Sequence, residues 1–293
     1  MTKEDFLEGQ TILIDKPLRW TSFDAVNKIR WKLKKKFNLK NIKVGHAGTL
    51  DPLATGLLVI CIGKHTKKIE TLMAGKKIYT GTILLGKTTP SYDLETEFDK
   101  EFPVDHIDDA LMEKVSQTFI GEIDQVPPVF SAKQIDGKRA YDYAREGKEV
   151  VMKTNKVLID SFSINSERFP EVDFEITCSK GTYIRSIARD LGNQLKCGGH
   201  LSDLIRTSQE KFSINDASSI DEVSEDKIIP LENAFDNLNS ITLDQDDASA
   251  FINGVALELK IDHSNLLRVY DPSKKFIAIG KNTSQGFKHE YLV

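Results

Sequence analysis

Residues 45–58 read GHAGTLDPLATGLL, and this stretch places a single carboxylate, Asp51, in an otherwise uncharged loop. Three glycines permit backbone conformations that other residues rarely adopt, and Pro52 stiffens the position after the acid. An Asp before a Pro is also an ordinary helix-start signal, so on the residues alone a role for Asp51 as the cap of a helix or turn is favoured. Lysines on both sides would keep the carboxylate ionised, which suits nucleophilic or general-base chemistry.

The sequence around this loop is strongly basic, although the whole chain has a formal net charge of −4. Between residues 26 and 69 there are eleven Lys or Arg residues and one acid, Asp51. Such a segregated basic segment is typical of a phosphate-binding surface and indicates a nucleic-acid partner. The lysine-rich part, KIRWKLKKKF, is equally compatible with an ordinary solvated helix face.

The composition is that of a globular protein, with 40% hydrophobic and 29% charged residues over 293 positions. The three cysteines are odd in number and widely spaced, which argues against a disulfide framework and indicates a reducing compartment. Cys197 and His200 are close in sequence, but no second Cys/His pair completes a zinc site. There is no apolar signal segment, and the longest apolar run, LLVICI, is too short to cross a bilayer. We therefore expect a cytoplasmic protein without membrane association.

Patterns on either side of the loop predict an α+β fold around a mixed, largely antiparallel sheet. TILIDKP is typical of a strand, and SFDAVNKIRWKLKKKF has helical spacing with Ser22 as its expected N-cap. GLLVICIG predicts a buried strand, KKIYTGTILLG predicts a strand carrying Tyr79, and a further helix is expected to begin near Thr182. Because VALELK, LLRVYD and KFIAIGK form a separate β-rich tail, we predict two domains, residues 1–238 and residues 239–293.

Six motifs, in this order and spacing, resemble those of the TruB family of bacterial tRNA pseudouridine-55 synthases. The loop motif is accompanied by DKPLRWTS, KKIY, VPPVFSAKQIDGKRAYDYAR, SKGTYIRSIARDLG and GGHLSDLIRT, which together span about residues 12–210. Two departures are Arg19, where the family usually has glycine, and LIRT, where a second arginine often precedes Arg206. The resemblance implies a pseudouridine-synthase-like catalytic domain, an RNA-gripping lobe at about 125–152 and a PUA-like C-terminal domain.

The resemblance also assigns roles to individual side chains. It implies that Asp51 is the catalytic nucleophile and that five further residues contact the substrate or the nucleophile. These five are His46, Tyr79, Tyr183, Arg185 and Leu204. Tyr79 is expected to stack on the target base, and Arg185 is expected to pair with Asp51 and hold it ionised.

The implied reaction is isomerisation of the T-loop uridine at position 55 of tRNA to pseudouridine, after the base is flipped out of its stack. An isomerisation requires no cofactor and no metal. The implied partner is the T-arm of tRNA, with no obligate protein partner and a monomeric enzyme. Two alternatives stay open: an RNA-binding or tRNA-folding module, and the same chemistry on another RNA.

Overall fold

The computed structural model describes the chain except residues 1, 132, 136, 147, 149, 224–226, 260–265 and 293. In chain order, the strands are β1 (Gln10–Lys16), β2 (Val44–His46), β3 (Thr55–Ile62), β4 (Lys77–Leu85), β5 (Lys87–Thr88), β6 (Lys100–Glu101), β7 (Gly121–Gln125), β8 (Gln134–Ile135), β9 (Lys138–Arg139), β10 (Asn155–Arg168), β11 (Glu171–Cys178), β12 (Gly199–Gln209), β13 (Phe212–Ser213), β14 (Ser218–Ser219), β15 (Ile228–Ile229), β16 (Ser240–Thr242), β17 (Leu267–Tyr270), β18 (Phe276–Thr283) and β19 (Gly286–Leu292). The helices are α1 (Lys3–Glu8), α2 (Ser22–Phe37), α3 (Ile69–Met73), α4 (Asp109–Gln117), α5 (Ala140–Arg145), α6 (Ile184–Gln194), α7 (Leu231–Ala234) and α8 (Gln245–Ile252). Within the described chain, none of them has the length and apolarity that a membrane-spanning helix needs.

The larger sheet has the strand order β14-β1-β3-β12-β4-β11-β10-β7, with β2, β13 and β15 paired at its sides. The pairs β1–β14 and β3–β12 are parallel, and the other neighbours are antiparallel. This arrangement confirms the predicted α+β fold around a mixed, largely antiparallel sheet. The short β3–β12 pairing aligns Thr55 with Ile205 and Gly56 with Arg206, which places β12 directly beside the loop that carries Asp51.

Helix α2 covers one face of this sheet and forms for reasons that are visible in its sequence. Val26, Ile29 and Leu33 recur at helical spacing and are buried in the main core. Its N-cap is Thr21 and not the predicted Ser22. The Thr21 hydroxyl accepts a hydrogen bond from the Asp24 N–H at 3.0 Å, and the Asp24 carboxylate accepts one from the Thr21 N–H at 2.9 Å. Ser22 has alanine three residues later, so it cannot complete such a capping box.

The opposite face of the larger sheet packs against the smaller sheet, β16-β17-β18-β19. Leu57 and Val59 of β3 lie in the same apolar cluster as Phe276 and Ile279 of β18. The segment VALELK, expected as a strand, forms within its described residues one isolated bridge, to Phe287. The smaller sheet confirms the predicted β-rich C-terminal region, while a domain boundary at residues 238 and 239 stays a prediction.

Candidate active site

Asp51 lies in the loop between β2 and β3, where its carbonyl oxygen accepts a hydrogen bond from the Ala54 N–H at 3.1 Å. A turn follows, and in the described chain no helix begins there. The carboxylate oxygen Oδ2 instead lies 2.9 Å from Nε of Arg185. The side chain therefore does not serve as the helix cap that the residues alone favour. With 38% of the Asp51 side chain exposed and 5% of the Arg185 side chain, the acid faces open space and its counter-ion is buried behind it.

Arg185 is itself fixed by backbone carbonyl groups. Its Nη1 donates to the Ser91 oxygen at 3.1 Å, and its Nη2 donates to the Phe130 oxygen at 2.8 Å. Its Nε lies between two carboxylates, 2.9 Å from Asp51 and 3.6 Å from the buried Asp93. Because the N–H is not aligned with either oxygen, these contacts are ionic rather than hydrogen bonds. A guanidinium fixed in this way holds the neighbouring carboxylate in one orientation.

Lys16, fully buried at the end of β1, supports the turn that follows Asp51. Its Nζ donates to the carbonyl oxygens of Pro17 at 3.0 Å and Trp20 at 2.6 Å, and to that of Pro52 at 3.5 Å. Burial lowers the pKa of Lys16 to about 8, although the negative charge of Asp51 opposes this shift. The buried ammonium group thus ties the DKP segment to the residue directly after the acid.

Arg19, the departure from the usual glycine, keeps a backbone conformation that glycine adopts easily. Its φ is +65°, and its N–H donates to the Pro52 carbonyl oxygen at 2.7 Å. Ser22 provides a second contact from the same segment, since its hydroxyl accepts from the Leu50 N–H at 2.8 Å and donates to the Leu50 oxygen at 3.0 Å. The substitution of glycine by arginine therefore leaves the support of the loop in place.

Strand β12 supports the part of the loop that precedes the acid. Arg206 is 1% exposed, and it donates from Nε to the Leu57 oxygen at 2.7 Å and from Nη2 to the Gly48 oxygen at 3.1 Å. Gln209 donates to the Ala47 oxygen at 2.8 Å. Gly48 has a φ of +111°, and a Cβ at this position would lie 3.2 Å from Nη1 of Arg206. Glycine at position 48 therefore allows the loop to close over the buried guanidinium.

A cavity of about 450 Å³ opens at the carboxylate of the loop. Its lining includes five of the six predicted site residues, namely Asp51, Tyr79, Tyr183, Arg185 and Leu204. The other polar lining residues are Thr49, Lys77, Ser131, Lys133, Asn155, Lys180, Thr182 and Arg206. A volume of this size accepts a small ligand or a single flipped nucleotide. Among the described residues, no three His, Cys, Asp or Glu side chains come together to hold a metal ion.

The two predicted tyrosines enter the cavity from different elements. Tyr79 lies on β4 opposite Arg206 of β12, and its burial raises the pKa of the hydroxyl, an effect that the Arg206 charge opposes. Tyr183 is the N-cap residue of α6, and its backbone N–H and carbonyl bind the Gln125 side chain at 2.8 and 3.1 Å. Burial also raises the pKa of Tyr183. Both phenols are therefore neutral near pH 7, and Leu204 on β12 adds an apolar wall beside them.

His46, predicted to contact the substrate, lies at the end of β2 and is not one of the described residues that line the cavity. The side chain is half-buried, and within the described chain its Nδ1 has no hydrogen-bond partner. Burial, together with the Arg206 charge, lowers its pKa, so the ring is neutral near pH 7. A role for His46 in substrate binding stays a prediction.

Sequence reasoning misses two buried charged residues of the site, Asp93 and Arg206. Arg206 is two residues from Leu204 on the same strand, and alternate strand residues share a face, so its position gives a usable signal. Asp93 lies in the acidic stretch YDLETEFD, which has the composition of a solvated linker. The local sequence does not distinguish the buried carboxylate of Asp93 from those of the exposed acids around it.

The basic segment around the loop does not form one continuous surface. Lys28 and Lys32 of α2 both contact the carboxylate of Asp221, at 3.0 and 3.6 Å. Lys68 is 3% exposed and lies beneath the smaller sheet, with its Nζ 5.1 Å from the centroid of the Tyr291 ring. Part of the predicted phosphate-binding surface is therefore unavailable to a phosphate.

Comparison with known proteins identifies the family of the chain. Residues 34–184 match the model of the TruB family pseudouridylate synthase, N-terminal domain. A Flavobacterium johnsoniae protein named tRNA pseudouridine synthase B is 52% identical over 221 residues, which are 75% of this chain and 96% of that relative. A Clostridium kluyveri protein of the same name is 39% identical over 284 residues, or 94% of this chain and 96% of the relative.

Solved structures show the same fold at lower identity. The Cbf5 chain of a Cbf5-Nop10-Gar1 complex superimposes with a TM-score of 0.73 at 23% identity, over 100% of this chain and 87% of that one. A chain of an H/ACA RNP bound to a substrate RNA containing 2′-deoxyuridine gives a TM-score of 0.72 at 22% identity. Since the family model covers more than half of the residues and relatives at 39–52% identity match most of the length, this chain belongs to the TruB family of pseudouridylate synthases.

Proposed function

We propose that this protein is a tRNA pseudouridine synthase that converts the uridine at position 55 of the T-loop to pseudouridine. The observation that carries the proposal is the Asp51–Arg185 pair, 2.9 Å apart, at the wall of a cavity of about 450 Å³. A purely structural ion pair needs no space for a nucleotide beside it. The relatives named tRNA pseudouridine synthase B support a uridine of tRNA as the substrate.

The reaction exchanges one bond of the nucleotide for another. The glycosidic C1′–N1 bond breaks, the uracil turns, and a C1′–C5 bond forms. The hydrogen at C5 leaves as a proton and N1 ends protonated, so atoms and electrons balance without a cofactor. The carboxylate of Asp51 is the nucleophile of this transfer, and Arg185 holds it toward the cavity.

The detached uracil has to stay in the cavity until the new bond forms. Tyr79 stacks on the base as a neutral phenol, since burial raises the pKa of its hydroxyl. Tyr183 and Leu204 supply apolar surface that limits the entry of water. A free base would otherwise diffuse away, so the enclosure matters as much as the nucleophile.

Capture of the RNA requires the target base to leave its stack, at a cost of roughly a few kcal/mol that binding has to offset. Lys133 and Lys180 line the cavity and are suited to contact the flanking phosphates. Lys133 lies in the predicted RNA-gripping lobe at about 125–152, and its Nζ donates to Oδ1 of Asn155 at 2.8 Å. Exchange of that internal contact for a phosphate would draw the lobe onto the RNA.

The proposed enzyme acts on the T-arm of tRNA as a cytoplasmic monomer without an obligate protein partner. The solved neighbours are assembled with other proteins, Nop10 and Gar1 in one case. Their identity to this chain is 23% or less, which supports a shared fold and not a shared assembly.

The test is release of tritium from a T-arm hairpin labelled at uridine C5, with the native protein and Asp51→Asn measured in parallel. We expect release by the native protein and none above background by the variant, with RNA affinity changed by less than about tenfold because the phosphate contacts remain. Absence of release from either protein, with binding intact, would contradict the proposed substrate. Such a result would favour the RNA-binding module or the modification of another RNA.

A further inference from the structure

We propose that the flank of α2 facing β2 is a second RNA-contact surface, which stacks an unpaired nucleobase on Phe23 and binds phosphates through Arg30 and Lys34. The inference rests on the proposed function for the identity of the RNA. Phe23 is 60% exposed, so a regular helix presents an aromatic face to solvent here.

These side chains lie on one side of the helix. Positions 23, 27, 30 and 34 follow one another at helical spacing, away from the buried stripe that faces the core. Arg30 donates from Nη1 to Oδ1 of Asn27 at 2.5 Å, and its guanidinium carbon lies 6.0 Å from the centroid of the Phe23 ring. The cation is therefore held beside the exposed aromatic surface, where it can also pair with a phosphate.

Hydrogen bonds connect α2 to the segment that leads to Asp51. Nη2 of Arg30 donates to the Val44 oxygen at 3.0 Å, and Val44 begins β2, the strand that leads into the Asp51 loop. At the start of the helix, Ser22 binds both backbone groups of Leu50, the residue before the nucleophile. The flank and the candidate active site are therefore connected through residues 44–51.

The charges on the two sides of α2 differ. Residues 25–50 contain eight Lys or Arg residues and no Asp or Glu. On the far side, Lys28 and Lys32 share the carboxylate of Asp221. On the side facing β2, neither Arg30 nor Lys34 forms an ion pair with any residue that the structure describes. Arg30 and Lys34 are thus available to a polyanion beside the exposed ring of Phe23.

The combination of rings and cations favours RNA over an acidic protein. Nucleobases stack on exposed aromatic side chains, while neighbouring cations follow the backbone. The pattern repeats further along the helix, where Trp31 is 56% exposed and Nζ of Lys35 lies 5.0 Å from the centroid of its ring. Acidic side chains would pair with the cations, whereas a nucleobase would also stack on an exposed aromatic ring.

The experiment compares Phe23→Ala, Phe23→Tyr, Lys34→Gln and Lys28→Gln in the full chain. Each variant is bound to an unmodified tRNA transcript by filter binding between 50 and 200 mM salt, conditions over which phosphate contacts weaken. The single-turnover rate of tritium release at saturating RNA is measured on the same samples. Lys28→Gln is the matched control, because it removes one positive charge from the same helix at a position that is already in an ion pair with Asp221.

We expect Phe23→Ala to weaken binding by about fivefold or more and Phe23→Tyr to retain it. Lys34→Gln should lower the salt slope by about 1, and Lys28→Gln should change neither quantity. The saturated single-turnover rate should stay at the native value in every variant. If all four variants bind RNA with the native affinity and the native salt slope, the proposal is wrong. The flank would then contact an acidic protein or solvent. If the native protein binds RNA but releases no tritium, the proposed function is contradicted. The second RNA-contact surface is then still tested, because that test depends on the RNA affinities of the variants.

Discussion

The loop that carries Asp51 and the C-terminal sheet are held in place by different kinds of interaction. Carbonyl groups of the loop at residues 47–54 accept hydrogen bonds from buried cations of distant segments, Lys16 and Arg206. The C-terminal sheet has an apolar core of its own, in which Phe251 and Phe287 stack with ring centroids 5.2 Å apart. One region depends on directed polar contacts, and the other depends on packing.

The difference corresponds to what each region has to do. Buried hydrogen bonds specify one geometry and lose most of their value when a single partner is removed, whereas apolar cores tolerate some repacking. A loop that presents Asp51 in one orientation needs the first kind of support. We therefore expect substitutions under the loop to reduce turnover, and substitutions at the C-terminal sheet to reduce stability alone.

We expect Arg206→Met to have the largest effect on both the free energy of unfolding and the single-turnover rate. It removes the donors to the Leu57 and Gly48 carbonyls and leaves two buried acceptors unsatisfied. Each such acceptor costs about 1–3 kcal/mol, so the free energy of unfolding should fall by about 3 kcal/mol or more. Displacement of the loop should lower the single-turnover rate by about 100-fold, because small misplacements of reacting groups are costly.

Chemical denaturation and single-turnover tritium release check both effects. Arg206→Lys is the matched variant, which keeps the charge but lacks the planar fork, and it should recover part of the stability. A native turnover rate in Arg206→Met would show that the loop holds its geometry without β12, and the contrast between the two regions would be lost.

Gly48→Ala should have a smaller effect that is again concentrated on turnover. The φ of +111° is strained for alanine, and the added Cβ would lie 3.2 Å from Arg206 and 3.3 Å from Gln209. Gly121→Ala is the matched control, because its φ of +106° carries similar strain with no atom within 4 Å of the added Cβ. We expect both variants to lose about 1–3 kcal/mol of stability.

The turnover rate is expected to differ between Gly48→Ala and Gly121→Ala. Thermal unfolding and single-turnover rates, measured side by side, should show a rate reduction of about tenfold or more in Gly48→Ala and native turnover in Gly121→Ala. Equal rates would mean that close packing against Arg206 does not control the position of Asp51.

Much of the fold follows from local sequence patterns, and the predicted site residues follow from the resemblance of the motifs to a family. The strand preceding the DKP motif, helix α2, the buried strand after the loop and the strand carrying Tyr79 all lie where periodicity predicts them. Five of the six predicted site residues line one cavity, because the motifs that carry them converge on adjacent strands and on α6.

The support of the loop could not be predicted, because its partners are far apart in sequence. Arg206 and Gly48 are separated by 158 positions, and Ser22 and Leu50 by 28. Ser22 is an example. Serine is a common N-cap residue, but the Ser22 hydroxyl binds the backbone of Leu50 and does not cap the helix. The burial of Asp93 could not be predicted either, because it depends on the position of Arg185 in the fold.

Lys68 lies between the two regions and should make the stability depend on pH. Burial, with a smaller effect of the neighbouring Lys64 and Lys67 charges, lowers the pKa of Lys68 from an ordinary value of 10.5 to about 7. Between pH 7 and about 10.5 the unfolded chain binds a proton that the folded chain lacks, so stability from this group rises with pH. Below pH 7 both states are charged, and the full cost of burying the ammonium remains.

Lys68→Met should therefore unfold at a higher temperature than the native protein at pH 7, and the difference should narrow as the pH approaches 10. Melting temperatures of both proteins at several pH values measure this difference. Tritium release should be unchanged at pH 7, because Lys68 does not line the cavity within the described chain. A constant difference across the pH range would mean that Lys68 is charged in the folded protein throughout.

Tyr291→Phe should give the smallest effect and should spare turnover. The Tyr291 hydroxyl and the Thr71 hydroxyl are 3.0 Å apart in a partly buried contact between the C-terminal sheet and α3. Loss of this hydrogen bond should lower the free energy of unfolding by about 1 kcal/mol. Tyr270→Phe is the matched control, since it removes a hydrogen bond of 2.8 Å to Glu232. Urea denaturation and tritium release measure both variants, and a fall in turnover specific to Tyr291→Phe would show that the docking of the C-terminal sheet affects the loop that carries Asp51.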